Sequence, residues 1–143
     1  MKRKNLILAT MAAIPDSSFD SPQIHKMIFL VDTNIHKKKN RKFNFKAGLY
    51  GPSDSKISND LQYLVSKELI LIRQEIVIGN TSKTVYRLSY NGHMEGFKQL
   101  DKLPNNVQTY LKELSVWIQK VSFSELCGAL NKQYPEMTSG SIF

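Results

Sequence analysis

The amino-acid sequence predicts an α+β domain, and three features of the chain support this class. Apolar residues recur at helical spacing in several segments, and a run of branched aliphatic residues before a Gly-containing turn predicts a β-hairpin. The length of 143 residues suits one domain, and a hydrophobic content of 41% is enough for a buried core. We therefore expect residues 1–143 to form a single domain.

The chain carries a positive charge that favours an anionic partner. It has 20 Lys and Arg residues against 12 Asp and Glu residues, for a net charge of +8 and a pI near 9.6. Residues 1–75 hold 13 of these cations and 7 of the anions, so most of the excess lies in the first half. Nucleic acid, phosphate or an acidic protein surface would suit this balance, and we expect the site in that half.

Cysteine usage and hydropathy indicate a cytoplasmic protein without a membrane span. The single cysteine, Cys127, excludes an intrachain disulfide and lies in an apolar helical pattern, where a thiol packs as a small hydrophobic group. The start MKRKNLILATMAAI has the basic and apolar parts of a signal peptide, but the apolar run is short and Pro15 follows it. We predict a first helix there instead. No stretch approaches the roughly 20 apolar residues that a membrane-spanning helix requires.

Periodicity and capping residues define the elements of the first half. Apolar spacing predicts a first helix over residues 3–14. Ser21 as N-cap and Pro22 at the first helical position predict a second helix. The apolar stripe of that helix consists of Ile24, Met27, Ile28, Val31 and Ile35. Alternating apolar and polar residues then predict a half-buried strand over 43–50.

A turn and a third helix follow this strand. Tyr50-Gly51-Pro52 is typical of a structural turn, because Gly allows unusual backbone angles and Pro fixes φ. Ser53 or Asp54 can then cap a helix over about 54–68. Its apolar side consists of Ile57, Leu61, Leu64 and Val65.

The second half contains a β-hairpin and further helices. Residues 69–90 predict two strands joined by a turn at 79–82. Beyond Gly92 the pattern is helical, with one apolar stripe over residues 107–121 that covers either the core or another chain. Ser122-Phe123-Ser124-Glu125 is a capping box that begins a last helix.

The order of these elements is typical of a winged helix-turn-helix fold. Two helices, a short strand and a third helix precede a two-stranded hairpin, so the third helix would enter a DNA groove and residues 79–83 would form the wing. We expect a winged-helix core over residues 1–92. A C-terminal helical extension over residues 93–143 would pack on that core or on a partner.

Several short motifs resemble those of known bacterial proteins. Tyr86-Arg87-Leu88-Ser89-Tyr90-Asn91-Gly92 resembles the Tyr-x-Leu-Ser/Thr-x-x-Gly ending of the last wing strand in bacterial regulators. The other motifs are Gln23-Ile24-His25-Lys26-Met27-Ile28-Phe29, Tyr50-Gly51-Pro52, Asp60-Leu61-Gln62-Tyr63-Leu64, Glu68-Leu69-Ile70, Tyr134-Pro135-Glu136 and Ser141-Ile142-Phe143. Together they resemble a family of small, mostly uncharacterised bacterial winged-helix proteins, and more distantly the Panacea antitoxin domain. The resemblance implies a winged-helix fold, with antitoxin activity through protein contacts as one of its functions.

The first functional hypothesis is a non-enzymatic protein that binds double-stranded DNA, with transcriptional regulation as the role such binding would serve. The segment HKKKNRKFNFK contains five cations within six residues, more than a helix C-terminus or a solubilising loop requires. The predicted phosphate contacts are Lys37, Lys38, Lys39, Arg41, Lys42, Lys46 and Lys83.

The third helix supplies the candidates for base recognition. These are Ser55, Lys56, Asn59, Gln62 and Tyr63, of which Asn59 and Gln62 have the best base-edge donors and acceptors. This helix contains two lysines and three acids, Asp54, Asp60 and Glu68. The excess of acids opposes DNA binding, and an ordinary amphipathic helix explains the same pattern at least as well.

The second hypothesis is a protein-interaction module, either antitoxin-like or a winged-helix subunit of a bacterial defence or ATPase complex. The third helix, Tyr50, Tyr63 and the 107–121 stripe would then contact a protein partner, and the stripe would also suit a homodimer. Catalysis has little support. His25, His36 and His93 are far apart, no metal-ligand spacing or nucleophile elbow is present, and we expect neither a cofactor nor a metal.

Overall fold

The structure is a mixed α+β arrangement with small sheets, as the sequence predicts. The computed structural model describes residues 1–36, 40–48, 51–79 and 81–138. Its elements are α1 (Arg3–Ala12), β1 (Phe19–Asp20), α2 (Ser21–Ile35), β2 (Lys46–Gly48), β3 (Gly51–Ser53), α3 (Lys56–Ser66), β4 (Ile70–Val77), β5 (Thr81–Leu88), α4 (Tyr90–Asp101), α5 (Asn105–Lys120), α6 (Phe123–Gln133) and α7 (Pro135–Thr138).

Helix α1 lies at the centre of the core. All residues from Leu6 to Ala12 are buried, because α3, α4, α5 and β5 surround the helix. The predicted helix over residues 3–14 is therefore present but two residues shorter. Thr10, the polar residue within it, donates its hydroxyl hydrogen to the carbonyl oxygen of Leu6 at 2.7 Å. That bond satisfies the hydroxyl without an external partner.

A three-stranded antiparallel sheet has the strand order β1-β5-β4. The hairpin β4–β5 agrees with the prediction for residues 69–90. The sequence did not predict β1, since two residues show no periodicity. Phe19 in β1 is fully buried and pairs with Tyr86 of β5. The short strand of this sheet thus lies between α1 and α2, not between α2 and α3 as predicted.

The predicted strand over residues 43–50 is present in part: among the described residues, 43–45 are not a strand and 46–48 are. Only Lys46–Gly48 forms a strand, which pairs with Gly51–Ser53 in a separate two-stranded sheet. Phe43 is buried outside any strand, and its ring contacts that of Phe45 at 5.9 Å. The alternation therefore reflects two aromatic side chains that pack on the core. Tyr50 lies outside the described residues, and the remainder of the predicted Tyr50-Gly51-Pro52 turn is part of β3.

The helix starts differ from those predicted by one or two residues. Asp20, not Ser21, is the N-cap of α2, in a capping box with Gln23. Helix α3 begins at Lys56, and the carboxylate of Asp54 accepts the Lys56 N–H at 2.9 Å. In α2 the carboxylate of Asp20 binds the N–H group that we had assigned to Ser21. In α3 the side chain that binds the Lys56 N–H is Asp54, one of the two predicted caps.

The Tyr86–Gly92 motif joins the hairpin to α4. The hydroxyl of Ser89 caps α4 by accepting the Gly92 N–H at 3.0 Å and donates to the carbonyl oxygen of Glu68 at 2.6 Å. A Cβ at Gly92 would lie 1.9 Å from the Leu69 carbonyl oxygen, so only glycine fits there. Helix α4 begins at Tyr90 and continues across residues 92 and 93, where the sequence analysis divides the predicted core from the extension.

The C-terminal helices pack on the core. Helix α4 contacts α1, and α5 contacts α1 and α2. Within the predicted stripe over 107–121, Leu111, Leu114 and Ile118 are buried, whereas Trp117 is 36% exposed. The stripe thus belongs mainly to the core. Among the described residues, no helix has both the length and the apolar composition needed to cross a membrane.

Two glycines in helix interiors should respond oppositely to alanine. A Cβ at Gly96 would lie 2.6 Å from the Ala12 Cβ and 2.8 Å from the Leu8 carbonyl oxygen, whereas one at Gly128 meets nothing within 4 Å. We expect Gly96→Ala to lower the free energy of unfolding by about 1–3 kcal/mol. Gly128→Ala should raise it by about 0.5–1 kcal/mol. Urea unfolding of both variants tests the α1–α4 contact, and a stabilising Gly96→Ala would contradict it.

Candidate nucleic-acid interface

Helix α3 presents one polar, exposed face. Ile57, Leu61 and Leu64 recur at helical spacing and are buried against the core. The opposite face contains the predicted base-reading residues Ser55, Lys56, Asn59, Gln62 and Tyr63, all of which are exposed. The structure therefore brings these five residues together on a surface that a ligand can reach.

The two acids near the start of α3 do not belong to that face. Asp54 and Asp60 are buried, and both bind the guanidinium of Arg3 from α1. Arg3 Nη1 lies 3.1 Å from Asp54 Oδ2, and Arg3 Nε and Nη2 lie 3.0 and 2.8 Å from Asp60 Oδ2. Two of the three acids that the sequence assigned to this helix are thus turned away from its exposed face, and the single charge of Arg3 offsets one of the two.

Arg3 also positions the segment before β2. Its Nη1 donates to the carbonyl oxygen of Lys42 at 3.1 Å, and its Cζ lies 4.3 Å from the centroid of the Phe43 ring. Asp54 accepts a further hydrogen bond from the Asn44 N–H at 2.8 Å. One polar network therefore joins α1, this segment and the start of α3.

A third buried carboxylate, that of Asp32, binds residues on both sides of the lysine run at 37–39. Asp32 near the end of α2 is 1% exposed and accepts the N–H groups of Lys42 and Phe43 at 3.0 and 3.2 Å. Its Oδ1 lies 2.7 Å from Nδ1 of His36, the last described residue before the lysine run. Lys37, Lys38 and Lys39 lie outside the described residues. His36 before them and Lys42 after them both bind the carboxylate of Asp32.

Several of the described cations line a cleft that the sequence did not predict. An open cavity of about 1420 Å³ lies beside α1, α3 and α4, with Glu95 as the acidic residue in its described wall. We call it the basic cleft, and its cations other than Arg3 are Lys2, Lys4, Arg41, Lys42, Lys67 and Lys102. An adjoining depression of about 440 Å³ shares Arg41 and Lys42 and adds Lys46 and Lys56 at the start of α3. Positive charge thus lies along the length of α3.

Tyr63 joins the exposed face of α3 to the basic cleft. The Nζ of Lys4 lies 4.5 Å from the centroid of its ring, and the Nζ of Lys67 lies 5.5 Å away. Cations over an aromatic face are attracted by its quadrupole, and the two lysines are thereby held beside the helix. Lys2 and Lys4 were missed because they resembled the start of a signal peptide, although their place on the first helix could have been read from its period.

Lys83 does not join this surface. It lies in β5 with its Nζ 4.0 Å from Asp20 Oδ2, and Arg73 in β4 binds Glu75 at 2.7 Å. Arg73 and Lys83 of the hairpin each lie beside a carboxylate. Among the described residues, no three His, Cys, Asp or Glu side chains come together as a metal site.

Comparisons with protein-family models, with curated proteins and with solved structures find no match to this chain. The resemblance to bacterial winged-helix proteins and to the Panacea domain therefore stays a prediction. The assignment of a function rests on the geometry of the chain itself.

Removing Arg3 should destabilise the protein. Arg3→Gln leaves two buried carboxylates without their cation, and we expect the free energy of unfolding to fall by about 2–4 kcal/mol. Lys2→Gln removes the same charge from an exposed neighbour and should cost less than about 0.5 kcal/mol. Equal effects of the two changes in urea unfolding would show that the network contributes nothing.

The stability should depend on pH through Asp54. Burial alone would raise the pKa of Asp54, but hydrogen bonds from Asn44, Arg3 and Lys56 lower it below the ordinary value of 3.8. A lowered folded-state pKa contributes stability that is complete above the unfolded value and is lost as pH falls through the folded value. We therefore expect wild-type protein to lose stability below about pH 4, more steeply than Asp54→Asn. Denaturant unfolding over this range checks it, with exposed Asp101→Asn retaining the wild-type slope.

Proposed function

We propose that this chain is a winged-helix protein that binds double-stranded DNA, with α3 in the major groove and the basic cleft along the phosphates. No catalytic role is proposed. Transcriptional regulation is the process that such binding would serve.

The arrangement of elements supports the winged-helix part of this proposal. Helix α1 precedes β1, helices α2 and α3 follow, and the hairpin β4–β5 comes directly after α3. Strand β1 pairs with β5, so one sheet joins the start of the fold to the hairpin. The hairpin occupies the place of a wing, and α3 occupies that of the groove-reading helix.

The observation that carries the DNA-binding part is the sorting of charge around α3. Asp54 and Asp60 face the core and bind Arg3, while Lys56 and Lys67 remain exposed near the two ends of the helix. A surface with cations beside an uncharged polar strip suits a phosphate backbone on either side of a groove. The sequence argument against DNA was that this segment is net negative. Among its exposed residues, Lys56 and Lys67 outnumber Glu68, so the argument does not apply to the surface.

The two parts of the surface would have different tasks. Cations of the basic cleft would neutralise phosphates and set the register of the protein without reading sequence. Asn59 and Gln62, on the exposed face of α3, have amide groups suited to the edge of adenine. Lys37, Lys38 and Lys39 stay predicted phosphate contacts, because Asp32 holds the segments that flank them.

A salt titration of DNA affinity tests this function. If about five phosphates are neutralised, the logarithm of the binding constant should fall against the logarithm of salt concentration with a slope of roughly −4 to −5. The double variant Arg41→Gln, Lys42→Gln should reduce that slope by about two and weaken binding roughly tenfold or more, equally for all sequences. Fluorescence anisotropy with labelled duplex DNA measures both quantities.

The matched control removes two charges elsewhere. Lys120 and Lys132 are exposed on α5 and α6, and the double change to Gln lowers the net charge by the same amount. It should leave the slope unaltered. Absence of binding at low salt, or equal losses in the two double variants, would overturn the proposal.

A protein-interaction module is the second candidate, and exposed apolar side chains favour it. Ile76 and Ile78 of the hairpin are 85% and 101% exposed, and Trp117 of α5 lies partly in solvent. Such side chains commonly mark contact surfaces. A stoichiometric protein partner that copurifies, with DNA affinity unaffected by the Arg41→Gln, Lys42→Gln double variant, would favour this candidate over DNA binding.

A further inference from the structure

Strand β4 is an exposed sheet edge with an apolar composition. It is the outer strand of the order β1-β5-β4, so one side of it has no partner strand among the described residues. The exposed aliphatic side chains of this strand and its end are Leu71, Ile72, Ile76, Val77 and Ile78. Natural edge strands are usually protected by lysine, proline, bulges or a covering element. The sequence ILIRQEIV contains neither lysine nor proline.

The backbone register shows which groups of β4 are open. The Ser89 N–H donates to the Leu69 carbonyl oxygen at 3.0 Å, and the pairing continues without a bulge from Ile70 opposite Leu88 to Val77 opposite Thr81. The backbone N–H and C=O groups of the odd-numbered residues of β4 therefore bond to β5, because the backbone groups of successive residues point alternately to the two neighbouring strands. The N–H and C=O groups of the even-numbered residues point away from the sheet.

The sequence of β4 and the residue after it is self-complementary about Gln74. Residues 70–78 read Ile-Leu-Ile-Arg-Gln-Glu-Ile-Val-Ile, with three aliphatic residues on either side of Arg-Gln-Glu. In an antiparallel pair of two such strands centred on Gln74, Arg73 of each copy lies opposite Glu75 of the other. Every aliphatic residue lies opposite an aliphatic residue.

We propose that β4 pairs with β4 of a second copy of this chain, antiparallel and centred on Gln74, so that the two sheets join into one. Gln74 then forms the central hydrogen-bonded pair, because its backbone groups face outward. Arg73 and Glu75 of the second copy form a non-hydrogen-bonded pair, in which side chains approach most closely. The inference does not depend on DNA binding.

Charge specifies both the partner and the register. Moving the axis by one residue in either direction places Arg73 opposite Arg73 or Glu75 opposite Glu75, and like charges directly opposite destabilise a strand pair. The Gln74 register avoids both. A second copy provides this complementarity twice through one two-fold axis, as an isologous interface requires. This edge thereby replaces the 107–121 stripe, whose buried members belong to the core, as the dimer surface.

Charge reversal tests the pairing. Arg73→Glu and Glu75→Arg each place like charges opposite each other at two positions, and each should weaken the dimer about tenfold or more. The double variant Arg73→Glu, Glu75→Arg restores opposite charges and should restore the dimer to within about threefold of wild type. Sedimentation over a range of micromolar concentrations measures the dissociation constants. Circular dichroism and the urea midpoint verify that each variant is folded.

A control variant on α5 locates the interface. Trp117→Ala changes another exposed apolar side chain, away from β4 in the fold, and should leave the dissociation constant unaltered. A wild-type chain that is monomeric throughout this range, single reversals without effect, or a double variant that stays monomeric would each overturn the proposal. A different protein bound at the β4 edge of a monomeric chain would overturn it as well.

Discussion

The contact of Arg3 with Asp54 and Asp60 is the interaction on which the basic cleft depends. It links the first turn of α1 to the start of α3, and through the Lys42 carbonyl and the Phe43 ring it also fixes the segment between them. Two buried carboxylates that share one cation require several donors from it, and a guanidinium fork supplies them in fixed geometry. Once this contact forms, α1, α3 and residues 42–44 meet at one surface.

The surface charge near α3 differs in sign from the charge of the local sequence. Asp32, Asp54 and Asp60 are all buried and accept hydrogen bonds from backbone or from Arg3. Their charges stabilise internal structure, whereas the lysines around them have no comparable place in the core and stay outside. Among the described residues, six lysines and Arg41 thus line the two depressions beside α1 and α3, and Lys102 joins them from the end of α4. A net charge summed along a helix cannot reveal this sorting, because it ignores which face each residue occupies.

Elements with local causes were predictable from sequence, and those that depend on distant contacts were not. The hairpin β4–β5, the buried stripe of α2 and the Ser122 capping box follow from periodicity and neighbouring residues. Strand β1 exists because Phe19 meets Tyr86, which is far away in sequence. The exposed face of α3 was predicted residue by residue from its period. The basic cleft was not, because Lys4 and Lys102 come together only through the packing of α1 on α4.

The hairpin and the basic cleft have opposite chemistries, and the two proposals use them for different tasks. Arg73 and Lys83 of the hairpin lie beside carboxylates and are poorly suited to bind phosphate, but an apolar edge strand requires cover. A two-fold axis perpendicular to the joined sheet does not exchange its two faces. Equivalent elements of the two copies therefore lie on the same face of the sheet. Because β4 follows α3 directly, both α3 helices would then lie near the axis and on one side of the sheet. A dimer of this kind suits a palindromic duplex only if the two helices are about 34 Å apart, one turn of DNA, or a multiple of it.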